Sequence, residues 1–354
     1  GMVELVSYWK ATCSPVVKIL CGGISSDEEK WFKKLYFKGL GEFFYRNGIT
    51  PDFSVFMTII SEGESIVPEG EKISGNRNLI SIGGGKDSIV SLNALSDKKE
   101  DNFCYIINPD KATKATAEIG GYKDEKVISV KRNLDRKIVD LNSQGFLNGH
   151  TPFSAIVAFS STVSAYLFSI KNVVLSNESS ANESTVKGTD INHQYSKSFE
   201  FECDFRSYEE NFIGSGVNYF SLLRPLSEFQ IAKFFSEKCK SFHSYFRSCN
   251  LGGKTDSWCC NCPKCLFITI ILSPFLSGEE IEKIFGENLL SKKEMLSDFD
   301  KLLGLSPEKP FECVGMRDEV ILSSHLTLKK YLDEKKELPI LISHFSEICN
   351  KNYD

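Results

Sequence analysis

The sequence predicts an α/β protein, a Rossmann-like parallel sheet with helices on both faces. Three observations carry the prediction. Between residues 76 and 240, short apolar runs that fit strands alternate with stretches that fit helices, the order a doubly wound sheet requires. The first of these strands runs into a glycine loop and then a helix, in Leu79-Ile80-Ser81-Ile82-Gly83-Gly84-Gly85-Lys86-Asp87-Ser88. Finally, 354 residues exceed what one compact core usually takes. An N-terminal α+β region is therefore expected over 1–75. A mainly helical C-terminal region carrying a cysteine cluster is expected over 241–354.

The elements follow in order. Ser25-Ser26-Asp27-Glu28 has the form of a capping box, ahead of Phe32, Leu35, Tyr36 and Leu40 at helical spacing. Residues 52–60 read as a strand, and the polar stretch 61–78 as a boundary. Strands are predicted over 79–82, 103–107, 126–130, 173–175 and 219–223. Helices are predicted over 88–95, 134–143 and 154–170, with another from Ser227, whose capping-box partner is Gln230. Residues 195–205 read as aromatic and strand-like. Later patterns are mostly helical, for example from Ser277 and over 326–338.

Charge excludes some functions. A net charge of −5 without a basic stripe gives nucleic acid no purchase, so no nucleic-acid partner is expected. Residues 141–170 lack Asp, Glu, Lys and Arg, yet the more apolar half from Phe153 carries Ser154, Ser160, Ser161, Thr162, Ser164 and Ser169. That is too polar for a membrane span, and the apolar run 266–277 is too short for one. No membrane partner and a cytoplasmic location are expected. Gly1 ahead of Met2 reads as a residue left by tag removal.

The glycine loop is the strongest chemical signal. Successive glycines let backbone approach a ligand closely. The helix that follows offers free N–H groups and a partial positive charge, which suit phosphate. Lys86 adds a point charge and Ser88 a hydroxyl, while Asp87 suits a Mg²⁺ ion or the ordering of the loop. The spacing fits neither a Walker loop nor a dinucleotide fingerprint.

A second candidate is the polar segment 176–198, which follows a predicted strand. Doubly wound sheets bind ligands at the C-terminal strand ends. The segment offers Asn177, Glu178, Asn182, Glu183, Asn192, His193, Gln194 and Lys197. His150, ahead of the long helix, is placed to meet the same site, and Arg224 suits a forked grip on carboxylate or phosphate. The bland alternatives are a solvated loop, a structural histidine and a surface ion pair.

Four cysteines stand within seven residues, at 259, 260, 262 and 265. Neighbours this close cannot all pair as disulfides. Cys249, Cys259, Cys262 and Cys265 form a set suited to a tetrahedral structural Zn²⁺, with Cys260 left over. Reduced, metal-free cysteines, a redox pair or an iron–sulfur cluster are the alternatives.

The glycine loop resembles the PP-loop of the ATP pyrophosphatase superfamily, Ser-Gly-Gly-x-Asp-Ser, with Gly83 where that family usually has serine. The resemblance implies ATP with Mg²⁺, cleaved to AMP and pyrophosphate on Gly83, Gly84, Gly85, Lys86, Asp87 and Ser88. It also implies adenine near the end of the second strand, at Asn108 and Asp110. The cysteine pattern resembles the zinc site of 7-cyano-7-deazaguanine synthase, another PP-loop enzyme. Further stretches are Asn148-Gly149-His150-Thr151-Pro152-Phe153-Ser154, Asn192-His193-Gln194-Tyr195-Ser196-Lys197-Ser198, Leu222-Leu223-Arg224-Pro225-Leu226 and Cys262-Pro263-Lys264-Cys265. With the loop, they resemble the UDP-N-acetyl-α-D-muramoyl-L-alanyl-L-glutamate epimerase family. That likeness implies a small nucleotide-sugar dipeptide as substrate and inversion of its terminal L-glutamate after adenylation. The acid–base candidates, chosen for their clustering after a predicted strand, are His193, Glu178 or Glu183. Lys197 and Arg224 would stabilise charge, and His150, Asn177, Asn182, Asn192 and Gln194 would bind substrate. The competing readings are an amidotransferase or nitrile-forming enzyme like the deazaguanine synthase, and a nucleotide-binding regulator without turnover.

Overall fold

The computed structural model describes residues 1–65, 68–249, 251–252 and 255–351. Their strands form two parallel sheets. In the smaller, β1 (Val16–Ile19) pairs with β2 (Thr58–Ser61). The larger contains β3 (Asn78–Ser81), β4 (Asn102–Ile107), β5 (Val127–Val130), β6 (Asn172–Leu175) and β7 (Asn218–Ser221), in the order β5-β4-β3-β6-β7. All neighbours in it run parallel. The chain lays down β3, β4 and β5 in one direction, then returns to place β6 and β7 on the other side of β3. A crevice therefore opens between the C-terminal ends of β3 and β6, where the connections diverge.

The strands are apolar because both faces are buried. Leu79, Tyr105, Ile128, Val173 and Tyr219 face one core, shared with helices Phe153–Leu167 and Phe199–Tyr208. Ile80, Cys104, Ile106 and Val174 face the other, beside Leu92, Ala117 and Tyr122. Trp9, Phe32, Leu35, Tyr36 and Phe43 join the first core, so the N-terminal region is packed onto the sheet rather than tethered to it. The capping boxes at Ser25–Glu28, Ser227–Gln230 and Ser277–Glu280 are all formed.

The C-terminal region is helical and has its own core. Helix Pro263–Leu272 is buried along its length, which explains why the run beginning at 266 is apolar on every side. Helices Leu296–Leu303 and Arg317–Asp333 pack against it. Among the described residues no helix is long and apolar enough to cross a membrane.

Three expectations are corrected. Of 52–60 only the end is strand, because Asp52 Oδ1 accepts the Ser54 N–H (2.8 Å) and the Asp52 carbonyl accepts from Val55 and Phe56, making a turn. Residues 195–205 are helical, not strand-like. Ser198 caps helix Phe199–Tyr208, and Phe201, Phe205 and Tyr208 fall on its buried face. The helix expected over 326–338 starts earlier, at Arg317, where Glu319 accepts the Met316 N–H, and stops at Asp333.

Candidate active site

A cavity of about 690 Å³ occupies the crevice at the ends of β3 and β6. The sheet side is formed by Ser81, Gly83, Gly85, Asp87, Ser88, Asp110, Ser176 and Asn177. Gly85 caps helix Lys86–Ala94, and among the described residues no side chain caps its first turn, so the N–H groups there are available to an anion. Gly84 has φ +75°, and a Cβ there would lie 3.1 Å from the Ala112 Cβ. A Cβ at Gly85 would lie 2.8 Å from Ser248 Oγ. At Gly83 a Cβ would meet nothing within 4 Å, so the position has room for the serine of the usual pattern.

Lys86 does not line the cavity. Its ammonium turns behind the loop, onto Asp87 and Glu228. Burial works against that charge, but the two carboxylates outweigh it and hold the lysine protonated. Burial pushes Glu228 up to about 7, against the pull of Lys86. Asp87 stays below the usual carboxylate range despite its burial, because Lys86, Lys264 and Lys197 oppose the effect.

The opposite side comes from the C-terminal region and from the end of the polar segment. Arg247, Ser248, Cys249, Lys264, Glu312, Cys313 and Lys197 line it. The Arg247 N–H donates to the Gly84 carbonyl (2.8 Å), stitching this side to the glycine loop. Lys197 Nζ lies 3.2 Å from Cys313 Sγ, and Lys264 donates to the Cys313 carbonyl. The His193 ring bonds Glu42, with His150 packed 4.4 Å away, centroid to centroid. Burial disfavours charge on His193, but Cys313 and Glu42 lift it to about 9. Burial, then the charge on His193, drives His150 down to about 3. Burial likewise opposes a thiolate at Cys313, yet Lys197, His193 and Lys264 bring it down to about 5.

Much of segment 176–198 builds the site without lining it. Arg224 gathers it, donating to the carbonyls of Glu178 (2.9 Å) and Lys197 (2.8 Å) and to Glu202 (2.8 Å). Glu178 accepts the Ser180 N–H. Asn182 accepts the Phe199 N–H, and Asn192 accepts that of Gln194, which is buried. Glu183 pairs with Lys309 and Arg317. Asn177 reaches the cavity and bonds Ser221 (3.0 Å). Asn108 instead bridges the backbone of Arg132, whereas Asp110 lines the cavity and caps helix Lys111–Ile119.

Behind the C-terminal side the four thiols of Cys249, Cys259, Cys262 and Cys265 lie within 4.8 Å of one another. The sulfur–sulfur separations are 3.7 Å (Cys249–Cys262), 3.6 Å (Cys259–Cys265) and 3.5 Å (Cys262–Cys265). A tetrahedron with metal–sulfur bonds of about 2.3 Å has edges of about 3.8 Å, so the set fits a thiolate-bound metal. N–H groups of Gly252 and Cys265 also point at the sulfurs of Cys249 and Cys262. Cys260 turns away, to the Phe285 carbonyl.

Comparison with known proteins decides the family. A family model described as the MurL N-terminal domain matches residues 1–222, and the MurL C-terminal domain matches 241–353. A UDP-N-acetyl-α-D-muramoyl-L-alanyl-L-glutamate epimerase from Salinispora tropica is 37% identical over 91% of this chain and 70% of its own. The protein of the same name from Xanthomonas oryzae pv. oryzae is 36% identical over 89% of this chain and 70% of its own. One from a Micromonospora species is 35% identical over 96% and 76%. The chain belongs to this epimerase family.

An epimerase needs groups that take and return a proton beside a site that holds the substrate. Cavity residues not singled out in the sequence are Arg247, Ser248, Lys264, Glu312 and Cys313, with Glu42 behind them. Lys264 stood inside Cys-Pro-Lys-Cys and could have been read there. Cys313 had no patterned neighbour to mark it.

Proposed function

We propose that this epimerase inverts the terminal L-glutamate of UDP-N-acetylmuramoyl-L-alanyl-L-glutamate in an ATP-dependent reaction that releases AMP and diphosphate. The observation that carries the reading is one cavity with the glycine loop and a helix N-terminus on one side and cationic groups on the other. The loop at 83–88 resembles the PP-loop pattern at every position but Gly83, and Gly84, Gly85 and Ser88 would hold phosphate, with Mg²⁺ beside Asp87. The cytoplasm, which holds ATP and nucleotide-linked sugars, is the compartment we assign.

ATP would supply an AMP group to the glutamate carboxylate. The chemistry has a clear need for it. A free carboxylate holds its α-proton tightly, since the carbanion would carry a second negative charge. Acyl-adenylate formation removes the first charge and lets the carbonyl delocalise the second. Lys197, in the cavity wall, would stabilise the oxygen on which that charge develops. A Zn²⁺ ion on the four thiols would cross-link the 249–265 segment without a vacant position for catalysis.

The test is incubation with the L-glutamyl dipeptide nucleotide and ATP, followed by pyrophosphate assay and chiral analysis of the glutamate. D-glutamate with stoichiometric pyrophosphate is expected. Unchanged L-glutamate would sink the proposal, and pyrophosphate formed only with a deazapurine carboxylate would favour the nucleobase-enzyme reading.

A further inference from the structure

We propose that Cys313 is the residue that takes the α-proton of the glutamyl group from one face. The inference rests on the acyl-adenylate reading of the same cavity. Its geometric basis is Cys313 in the cavity wall beside Lys197, whose Nζ lies 3.2 Å from the sulfur, and Lys264, which donates to the Cys313 carbonyl.

The other ionisable groups around the cavity have other engagements. Asp87 is held by Lys86 and Asp110 caps a helix. Lys197 is kept protonated, chiefly by Cys313 itself, so it cannot accept a proton. Glu183 is locked by Lys309 and Arg317, and Glu178 turns onto the Ser180 N–H. His193 is protonated between Glu42 and Cys313. Cys313 faces Lys197, His193 and Lys264, with Glu312 next to it in the chain and in the wall. Three cations around one thiol favour the thiolate, the form that acts as a base.

The step balances without a further reagent. The Cα–H bond breaks, the proton forms S–H on Cys313, and the bonding pair moves into the acyl C–O group as an enolate. A solvent-derived proton returns to the opposite face. Water then adds to the acyl carbon and AMP leaves.

The experiment follows solvent deuterium into the glutamate Cα of the dipeptide nucleotide, with pyrophosphate release measured in parallel. In Cys313→Ala, exchange should fall by about 10²–10⁴-fold while dipeptide-dependent pyrophosphate release stays within about threefold, below the smallest loss expected of a missing base. Exchange within threefold of the parent would overturn the proposal. So would equal loss of both signals in a variant that still binds ATP, or a glutamyl adduct on Cys313 by mass spectrometry, which would make it a nucleophile. Absence of pyrophosphate from the parent enzyme would instead overturn the adenylation reading, with exchange still reporting on Cys313. If the alanine variant does not fold, iodoacetamide labelling of Cys313 in the parent enzyme decides between the outcomes. A labelling rate sustained from pH 9 to 6 and blocked by ATP plus dipeptide nucleotide is expected. A rate falling tenfold per unit below about pH 8.5, as for an ordinary thiol, would overturn it.

Discussion

The two sides of the cavity are built on opposite plans. The sheet side presents backbone N–H groups, small residues, hydroxyls and the two carboxylates Asp87 and Asp110, but among the described residues no cation, because its one lysine, Lys86, is turned behind the loop onto Asp87 and Glu228. The C-terminal side presents its charges outright, with Arg247, Lys264, Glu312, Cys313 and the incoming Lys197 all in the wall. On the proposed reaction the difference would separate two tasks. Holding phosphate calls for fixed dipoles that need no titration, whereas moving a proton calls for groups whose neighbours set their charge. The same contrast divides the cysteines. Four thiols face one another, Cys249 at the wall and the other three behind it, in an arrangement suited to a metal, while Cys313 faces cations.

The comparison breaks most visibly at the thiol cluster. Cys265→Ser should reduce bound zinc from one ion per chain to almost none and lower the thermal midpoint by more than about 10 °C. Metal analysis and calorimetry check this. A variant that unfolds normally and still carries zinc would mean the C-terminal side does not depend on the cluster.

Lys86→Met tests the sheet side. It leaves Glu228, Asp87 and the nearby Glu178 without their buried cation, and should cost about 3–5 kcal/mol in urea unfolding at neutral pH. A loss below about 1 kcal/mol would fit a surface pair and contradict the burial.

Lys197→Gln sharpens the contrast without dismantling either side. Removing a cation from beside Cys313 must raise its titration from about 5 toward the ordinary 9.0. The thiolate is favoured by folding, so its contribution to stability is complete above the ordinary value and is lost as pH falls through about 5. In the variant that loss still begins near 9 but should be complete at least about one unit higher, read from urea midpoints between pH 9 and 5 and from iodoacetamide labelling of Cys313. An unmoved profile would show that His193 and Lys264 suffice.

The smallest effect is at Asp110, which both lines the cavity and caps helix Lys111–Ile119. Asp110→Ala should lose about 1 kcal/mol of stability and Asp110→Asn only a few tenths. Should the asparagine variant match the parent in stability yet bind ATP differently, the carboxylate serves nucleotide as well as helix.

The sheet side was legible because its signals are local. Alternating apolar runs, successive glycines and the Ser227–Gln230 box each act within a few residues. The four cysteines were legible for the same reason, since three of them lie within seven residues. Cys313, Glu42 and Arg247 were not. Each is a single residue with no periodic company, and each joins the site only through tertiary packing. The His193–Glu42 bond joins residues 151 apart in the chain. The polar segment misled in the other direction. Most of its groups hold one another and the backbone in place, and a sequence cannot distinguish a side chain that greets a ligand from one that ties its own loop.

The bond from the Arg247 N–H to the Gly84 carbonyl crosses between the stretches matched by the two family models. The loop that would cradle ATP is therefore clasped by the other half of the chain. A gene split or a protease cut between 222 and 241 would give fragments each holding half a nest. Inheritance should accordingly keep the halves together, and a partner evolving on one side must answer to the other.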